Sequence, residues 1–514
     1  MSLNQTMNIS LGSMKNNQYA LTVVSQNIAN LHVEGYHRQR VNFATNEYTT
    51  NCENVISTIR GMNGASISSL SDYIDEGAFK GLLDSNADAQ YFNTLAGAIG
   101  ELEDVADDLG DNGLNALLNS FFEASVNLEQ FPTDMSIRQQ YVIAAQNVCE
   151  KFNEISTKFD DIQEDKFKII QNDVSTINTL LQNLAQANEA NAKNGGSSAT
   201  ESEIDGILKE LSNYMEVTAT KNENNTYNIQ IGDIKVVEGN QVNFKLNAEF
   251  DSTNPDNAVS FSLQSTQNPD YVIENGVNDS FTTGSMKAFI EFLNGDSKNF
   301  TNINAMKENL NTAAISFANA LNDIQTKVDD DGTFPASLIS NADGSLNLQQ
   351  ATKPMFTTTD GNAINAKNLT VNPEIIENPY HIAAARINLD KYTDENGNVD
   401  PNWVKSVGNA DNAIRISALR NEKICADANG NMFTLSEFLR NNAAKTGLDA
   451  ANIATKADTA QDIADMDATN YANMVGVNLD EELADMIKYQ RAFEASARVF
   501  STVNELLGTI VNLV

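Results

Sequence analysis

From Asn478 to Val514 a large apolar side chain falls at every seventh position: Leu479, Met486, Phe493, Phe500, Leu507 and Val514. Seven residues are nearly two helical turns, so these side chains form one narrow stripe, the geometry of a seam covered by a facing helix. A register four residues on, Leu483, Gln490, Ala497, Asn504 and Val511, is half polar. The stripe has no partner within its own helix, and such helices are marginal in water until packing stabilises them. The other end of the chain offers a partner. Met7, Met14, Leu21 and Ile28 also fall seven apart, with Leu11, Val24 and Leu31 beside them, in a segment without proline. The spacing predicts that the terminal helices pair as a coiled coil and that neighbouring subunits cover what the pair leaves open. Charge points the same way. Lys15, Arg38 and Arg40 outnumber Glu34 near the start, whereas Asp480, Glu481, Glu482, Asp485, Glu494 and Glu505 outnumber Lys488, Arg491 and Arg498 near the end.

Between these ends the texture changes several times. Helical spacing runs from Phe79 to Asn194, broken by GDNG at 110–113 and by a loop at Pro132, and a polar, glycine-rich connection follows. From Glu216 short alternating runs separated by Asn, Gly and Asp read as a small antiparallel β-domain. Helical spacing returns at Ile303, Met306, Leu310, Ala314, Phe317 and Leu321. Residues 331–403 then hold Pro335, Pro354, Pro373, Pro379 and Pro401, and helix resumes near Asn409. The predicted fold is mainly α with inserted β-rich domains, an elongated nested multidomain chain with its N- and C-terminal helices paired at one end. Its expected units are paired terminal helices (1–38 and 476–514), a helical middle (39–215, 285–330 and 404–475), a small β-rich insertion (216–284) and an irregular or β-rich outer insertion (331–403). Asn478 with Glu481 also fits a capping box opening the last helix.

Composition and motifs exclude most chemistry. The net charge of −36 over 514 residues repels phosphate backbones and anionic surfaces, so neither nucleic acid nor membrane insertion is expected. Cys52, Cys149 and Cys425 lack any C-x-x-C spacing and read as buried thiols. His32, His37 and His381 form no H-E-x-x-H motif and no nucleophile pairing, so no catalytic, cofactor or metal residues are assigned. The runs DDDG at 329–332, DENGNVD at 394–400 and DANGN at 427–431 invite calcium. An EF-hand aligned on Gly430 would need acids where Cys425 and Ser436 stand, so Asp-Gly and Asn-Gly turns explain the runs better. The amino end lacks the basic start and apolar run of a cleaved secretory signal, and no stretch reaches membrane-spanning length.

Two segments carry a resemblance. QNIANLHVEGYHRQ resembles the S-N-N-I-A-N-x-x-T-x-G-Y-x-R signature of flagellar axial proteins, with Asn27, Ile28, Ala29, Asn30, Gly35, Tyr36 and Arg38 matching and Gln26 and Val33 departing. GVNLDEELADMIKYQRAFEASARVFSTVNELLGTIVN is similar to the C-terminal segment of the hook-associated members of that family, Phe493 and Phe500 standing for the usual tyrosine and isoleucine. GLNALLNSFFEASVNLEQFPTD, GSMKAFIEFLN and AKNLTVNPEIIENPYHIAAA extend the likeness, whereas ESEIDGILKELSNYMEV does not reproduce the usual D-x-R-D.

The resemblance implies a non-enzymatic structural subunit of the extracellular bacterial flagellum, joining hook to filament and exported by a type III route without a cleaved signal. The implied partners are further copies of the chain, the hook protein, a second hook–filament junction protein and an export chaperone on the C-terminal helix. The expected assembly interface is Met7, Leu11, Met14, Leu21, Ile28, Asn30, Gly35, Tyr36, Arg38, Leu479, Leu483, Met486, Phe493, Phe500, Leu507, Val511 and Val514. Flagellin, hook protein or a secreted adhesin are the alternatives.

Overall fold

The computed structural model describes residues 3–33, 36–50, 59–72, 75–106, 113–194, 196, 198–295 and 299–512. Gly35, Cys52, Val514 and most of the GDNG turn lie outside them.

Helix α1 (Leu3–Ala29) leads into a hairpin of long antiparallel strands, β1 (Gln39–Thr50) and β2 (Ile59–Asp72). Residues 39–50 and 59–72, expected to belong to the helical middle, are therefore extended. Two register shifts bend the hairpin, between Asn42 and Phe43 and between Thr45 and Glu47. They offset the apolar positions, which explains why no clean alternation announces the strands. Then come α2 (Glu76–Ala106), α3 (Leu114–Gln130), α4 (Met135–Asn194) and α5 (Ser198–Ser212). The 60 residues of α4, at about 1.5 Å each, span about 90 Å and set the long axis.

The first insertion holds two small antiparallel sheets. One is β3 (Thr218–Lys221), β4 (Tyr227–Ile231), β5 (Ile234–Glu238) and β6 (Gln241–Val242), and the other is β7 (Phe244–Phe250), β8 (Val259–Ser265) and β9 (Val272–Ile273). Helices α6 (Gly284–Leu293) and α7 (Ile303–Thr326) bring the chain back. The second insertion contains β10 (Phe334–Ser340), β11 (Leu346–Gln350), β12 (Phe356–Thr358), β13 (Leu369–Val371), the short α8 (Pro373–Glu377) and β14 (Ala385–Ile387), with sheet order β11-β10-β14 and a separate β12-β13 pair. The return runs through α9 (Asp411–Ala418), the pair β15 (Cys425–Ala426) and β16 (Met432–Phe433), α10 (Leu435–Val475) and α11 (Leu479–Asn512).

One continuous core joins α2 to α7 and α10 with both first-insertion sheets, and its aromatic centre is Phe121, Tyr141, Phe317 and Phe356. The outer sheet has its own cluster around Phe334, Leu338, Leu348 and Ile387, capped by Trp403. Helix α10 is alanine-rich and lies along α2, where Ala89 meets Ala460 and Ala464, small side chains that let two backbones approach. Thr434 and Glu437 cap α10 reciprocally.

Two devices bind the insertions to the frame. Asparagines of α4 and α7 bond main-chain atoms of the loops and strands: Asn178 exchanges two bonds with Leu246, at 2.8 and 2.9 Å, and Asn322 does the same with Phe356, at 3.0 and 2.8 Å. Asn153 reaches the Ala366 carbonyl at 2.7 Å, and Asn188 those of Tyr227 and Gly239 at 2.8 and 2.7 Å. The second device is Arg138, buried in the core. It donates to the carbonyls of Pro132, Pro379 and Ile382, at 2.7, 3.1 and 2.8 Å, and so joins the FPTD loop to the NPYHIAAA segment. Burial lowers its pKa to about 10, which still leaves it charged at neutral pH.

Gly284 opens α6 at φ +83°, and a Cβ there would stand 2.5 Å from the Tyr214–Met215 backbone. Gly284→Ala is expected to cost about 2–4 kcal/mol, read as a lower Tm of the middle in calorimetry. A pH effect follows from Asp173 on α4, whose carboxyl is pushed up to about 6 by burial. Its proton is held more tightly folded than unfolded, so its contribution is full below the ordinary carboxylate range and lost as pH rises through about 6. Asp173→Asn should raise Tm more at pH 7.5 than at pH 5.

Candidate assembly interface on the terminal helices

Helix α11 starts at Asn478, whose Oδ1 accepts from the backbone N–H of Asp480 at 3.0 Å and of Glu481 at 3.4 Å. The acidic first turn Asp480–Glu482 suits the positive end of the helix dipole. The expected capping box is only half formed, because the Glu481 side chain turns to Arg38 instead of back to the cap.

The two terminal helices run antiparallel, with Asn27 beside Glu482 at one end and Ser13 beside Ser496 further along. Helix α1 buries Ser10, Asn17, Ala20, Val23, Val24 and Asn27, because it is covered on two sides: by α11 and by the β1–β2 hairpin. Ala20 and Val23 pack with Val41 of β1, Ile67 of β2 and Tyr489 of α11. On α11 the inward residues are Glu482, Met486, Tyr489, Phe493, Ser496, Phe500, Val503 and Leu507. The stripe at Met486, Phe493, Phe500 and Leu507 therefore faces the seam. Its companion register lies three residues on (Glu482, Tyr489, Ser496, Val503), not four. Polar pairing explains why the pattern hid it: Ser13 and Ser496 hydroxyls meet at 2.9 Å, and Asn17 bonds the Ser13 carbonyl at 2.8 Å.

Met7, Met14, Leu21 and Ile28 are half-buried, while Leu11 is exposed. Leu479, Leu483 and Val511 are exposed, the last 74%. Ile487 (52% exposed), Val499 and Leu506 join Leu483 on the side of α11 that α1 does not cover, whereas Leu479, Ile510 and Val511 are exposed near the ends of the helix.

The centre of the pairing is polar. Glu482 is 1% exposed. Its Oε1 accepts from Arg38 Nε at 2.6 Å and its Oε2 from Asn27 Nδ2 at 3.1 Å. Arg38 also bonds Glu481 and lies 3.8 Å from Asp485. Burial works against the guanidinium charge, yet Glu482 and Glu481 outweigh it and hold Arg38 above its ordinary pKa. Asn27 is used fully. Its Nδ2 also donates to the Gln39 carbonyl at 2.9 Å, and its Oδ1 accepts from Gln39 N–H at 3.0 Å and from Tyr36 Oη at 3.1 Å. Asn30 closes the helix end, its side chain reaching the Gln26 carbonyl at 3.0 Å. Of the expected interface residues, Tyr36 and Arg38 thus join Asn27 and Glu482 in one network. The latter two were not assigned to the interface, although both stand inside the segments that carry the resemblance. Groups able to hold a metal ion are absent among the described residues.

Removing one partner of a buried ion pair leaves an uncompensated charge, typically costing 3–5 kcal/mol. Arg38→Ala is expected to speed amide exchange throughout α1 and α11 while leaving α3 and α4 protected, measured by hydrogen–deuterium exchange.

Comparisons with known proteins match the helical middle and the C-terminal helix. The family profile described as flagellar hook-associated protein FlgK helical domain matches residues 99–335. That of the flagellar basal body rod FlgEFG protein C-terminal matches residues 468–513. Flagellar hook-associated protein 1 of Bacillus subtilis (strain 168) is 25% identical over 528 residues, covering 96% of this chain and 95% of its own. Its namesake in Salmonella typhimurium is 23% identical over 572 residues, covering 99% and 100%. The solved flagellar hook junction protein FlgK of Burkholderia pseudomallei superposes with a TM-score of 0.57 at 13% identity, over 76% of this chain and 99% of that one, a likeness of fold. The two profiles fall on the helical middle and on the C-terminal helix, and the relatives named flagellar hook-associated protein 1 are similar to this chain over nearly its whole length.

Proposed function

We propose that the chain is a structural subunit of the bacterial flagellum that assembles into the short zone joining hook to filament. The observation that carries the assembly role is the outward side of α11. Leu483, Ile487, Val499 and Leu506 are exposed on a helix whose other side is already occupied by α1, and Leu479, Ile510 and Val511 are exposed near its ends. Large apolar side chains gathered on one side of a long helix favour association. Neighbouring copies, each presenting the same paired helices, would cover them and line an inner tube. The helical middle would carry lateral contacts, and the insertions 216–284 and 331–403 would lie outermost. In this reading the terminal helices are one unit, the helical middle a second, and the two insertions the outer ones.

Further partners follow from the same surface. Before export, the outward side of α11 needs cover, which suits a chaperone groove that accepts an amphipathic helix. Hook protein and a second junction protein would flank the zone. Export without a cleaved signal and residence outside the cell accompany this reading. The reading is of a structural subunit, and no residue constellation among the described residues favours an enzymatic role.

The two sides of α11 separate the hypotheses. Leu483→Asp with Ile487→Asp lies on the outward side and should leave the α1–α11 pairing intact while abolishing filament attachment, scored by electron microscopy and motility of complemented cells. Filaments attaching normally in that double variant would remove the outward side from the interface.

A further inference from the structure

Tyr36, His37 and Arg38 are consecutive, and each side chain reaches a different element. Tyr36 turns back to α1 and Arg38 forward to α11, whereas His37 enters the helical middle. His37 is buried, and its Nε2 lies 3.2 Å from Oδ2 of Asp205 on α5. The same oxygen accepts from Tyr471 Oη, also at 3.2 Å, near the end of α10. The His37 ring stands edge-on to Tyr471 with centroids 6.4 Å apart, and Tyr471 packs on Phe79 of α2 at 5.2 Å. Leu82 and Val475 close the apolar side. Burial, and after it the charge of Asp205, push the Tyr471 hydroxyl above its ordinary pKa, so it stays a donor.

We propose that the His37–Asp205–Tyr471 cluster is a latch that fixes the angle between the terminal-helix unit and the helical middle, with Asp205 as its shared acceptor. The chain crosses between these units only in short connections, one of them at Gly476 between α10 and α11. A few such residues suffice for a hinge. Among the described residues, the main-chain bond at this crossing is Arg38 N–H to the Val475 carbonyl at the end of α10, at 2.9 Å. Orientation therefore depends on side chains. The latch is discrete because a buried donor that loses its acceptor bears the full desolvation cost, so intermediate angles gain nothing. His37 occupies an unspecified position of the G-Y-x-R signature, so the resemblance assigns it no role.

The latch is intramolecular and stands apart from the proposed assembly role, so its test does not require flagella. Full-length protein with Cys52→Ser carries spin labels at Asn183→Cys on α4 and Glu494→Cys on α11, both exposed positions. Electron–electron double resonance should give one narrow distance distribution. Asp205→Ala, and more mildly Tyr471→Phe, should at least double its width while the near-UV circular dichroism of the middle is retained. An unchanged width in both variants overturns the latch, as does a broad distribution in the parent. Broadening found only where the middle has lost its dichroism overturns it too, the cluster then being part of the core alone.

Discussion

Glu482 is the constraint on which the terminal architecture rests. A carboxylate with 1% exposure tolerates its position only if every lone pair that matters is engaged, and here Arg38 and Asn27 take one oxygen each. Those partners come from opposite sides of the loop that follows α1, so satisfying Glu482 also fixes where the hairpin strand β1 begins. The apolar seam alone would allow α1 and α11 to slide by one heptad, nearly two turns, since heptad stripes repeat. The buried charge does not repeat, and it specifies one register, the use of buried polar groups best attested in coiled coils.

The same reasoning explains the unusual composition of the seam. Ser13, Asn17 and Ser496 occupy places where a dedicated two-helix coil would carry leucine or isoleucine. Further apolar side chains, Leu483, Ile487, Val499 and Leu506, stand on the side of α11 away from this seam. A pairing held by a narrow apolar stripe, hydrogen bonds and one ion-pair cluster, with further Leu, Ile and Val side chains left uncovered, suits a helix pair that completes its packing with neighbours.

Much of this was legible in the sequence where a local pattern reports a local cause. The seven-residue spacing located the inward stripe of α11, the alternating runs after Glu216 located a β-rich insertion, and proline density marked the second. The companion register at Tyr489 and Val503 was not legible, because Glu482 and Ser496 share it and hydropathy scores them as outward. The long strands at 39–50 and 59–72 were hidden by their register shifts. Arg138, His37 and Asp205 could not have been paired from sequence, since their partners lie far along the chain and nothing in the spacing of either segment encodes a meeting of side chain and remote carbonyl.

The asparagines that hold the insertions bear on how such a chain can change. Asn153, Asn178, Asn188 and Asn322 grip peptide groups, and a peptide group is the same whatever side chain it carries. The surface of an insertion could therefore be rewritten residue by residue while its seating on the long helices stayed the same. A rigid frame that fastens its appendages by their backbone leaves selection free to remodel whatever the outermost domains meet.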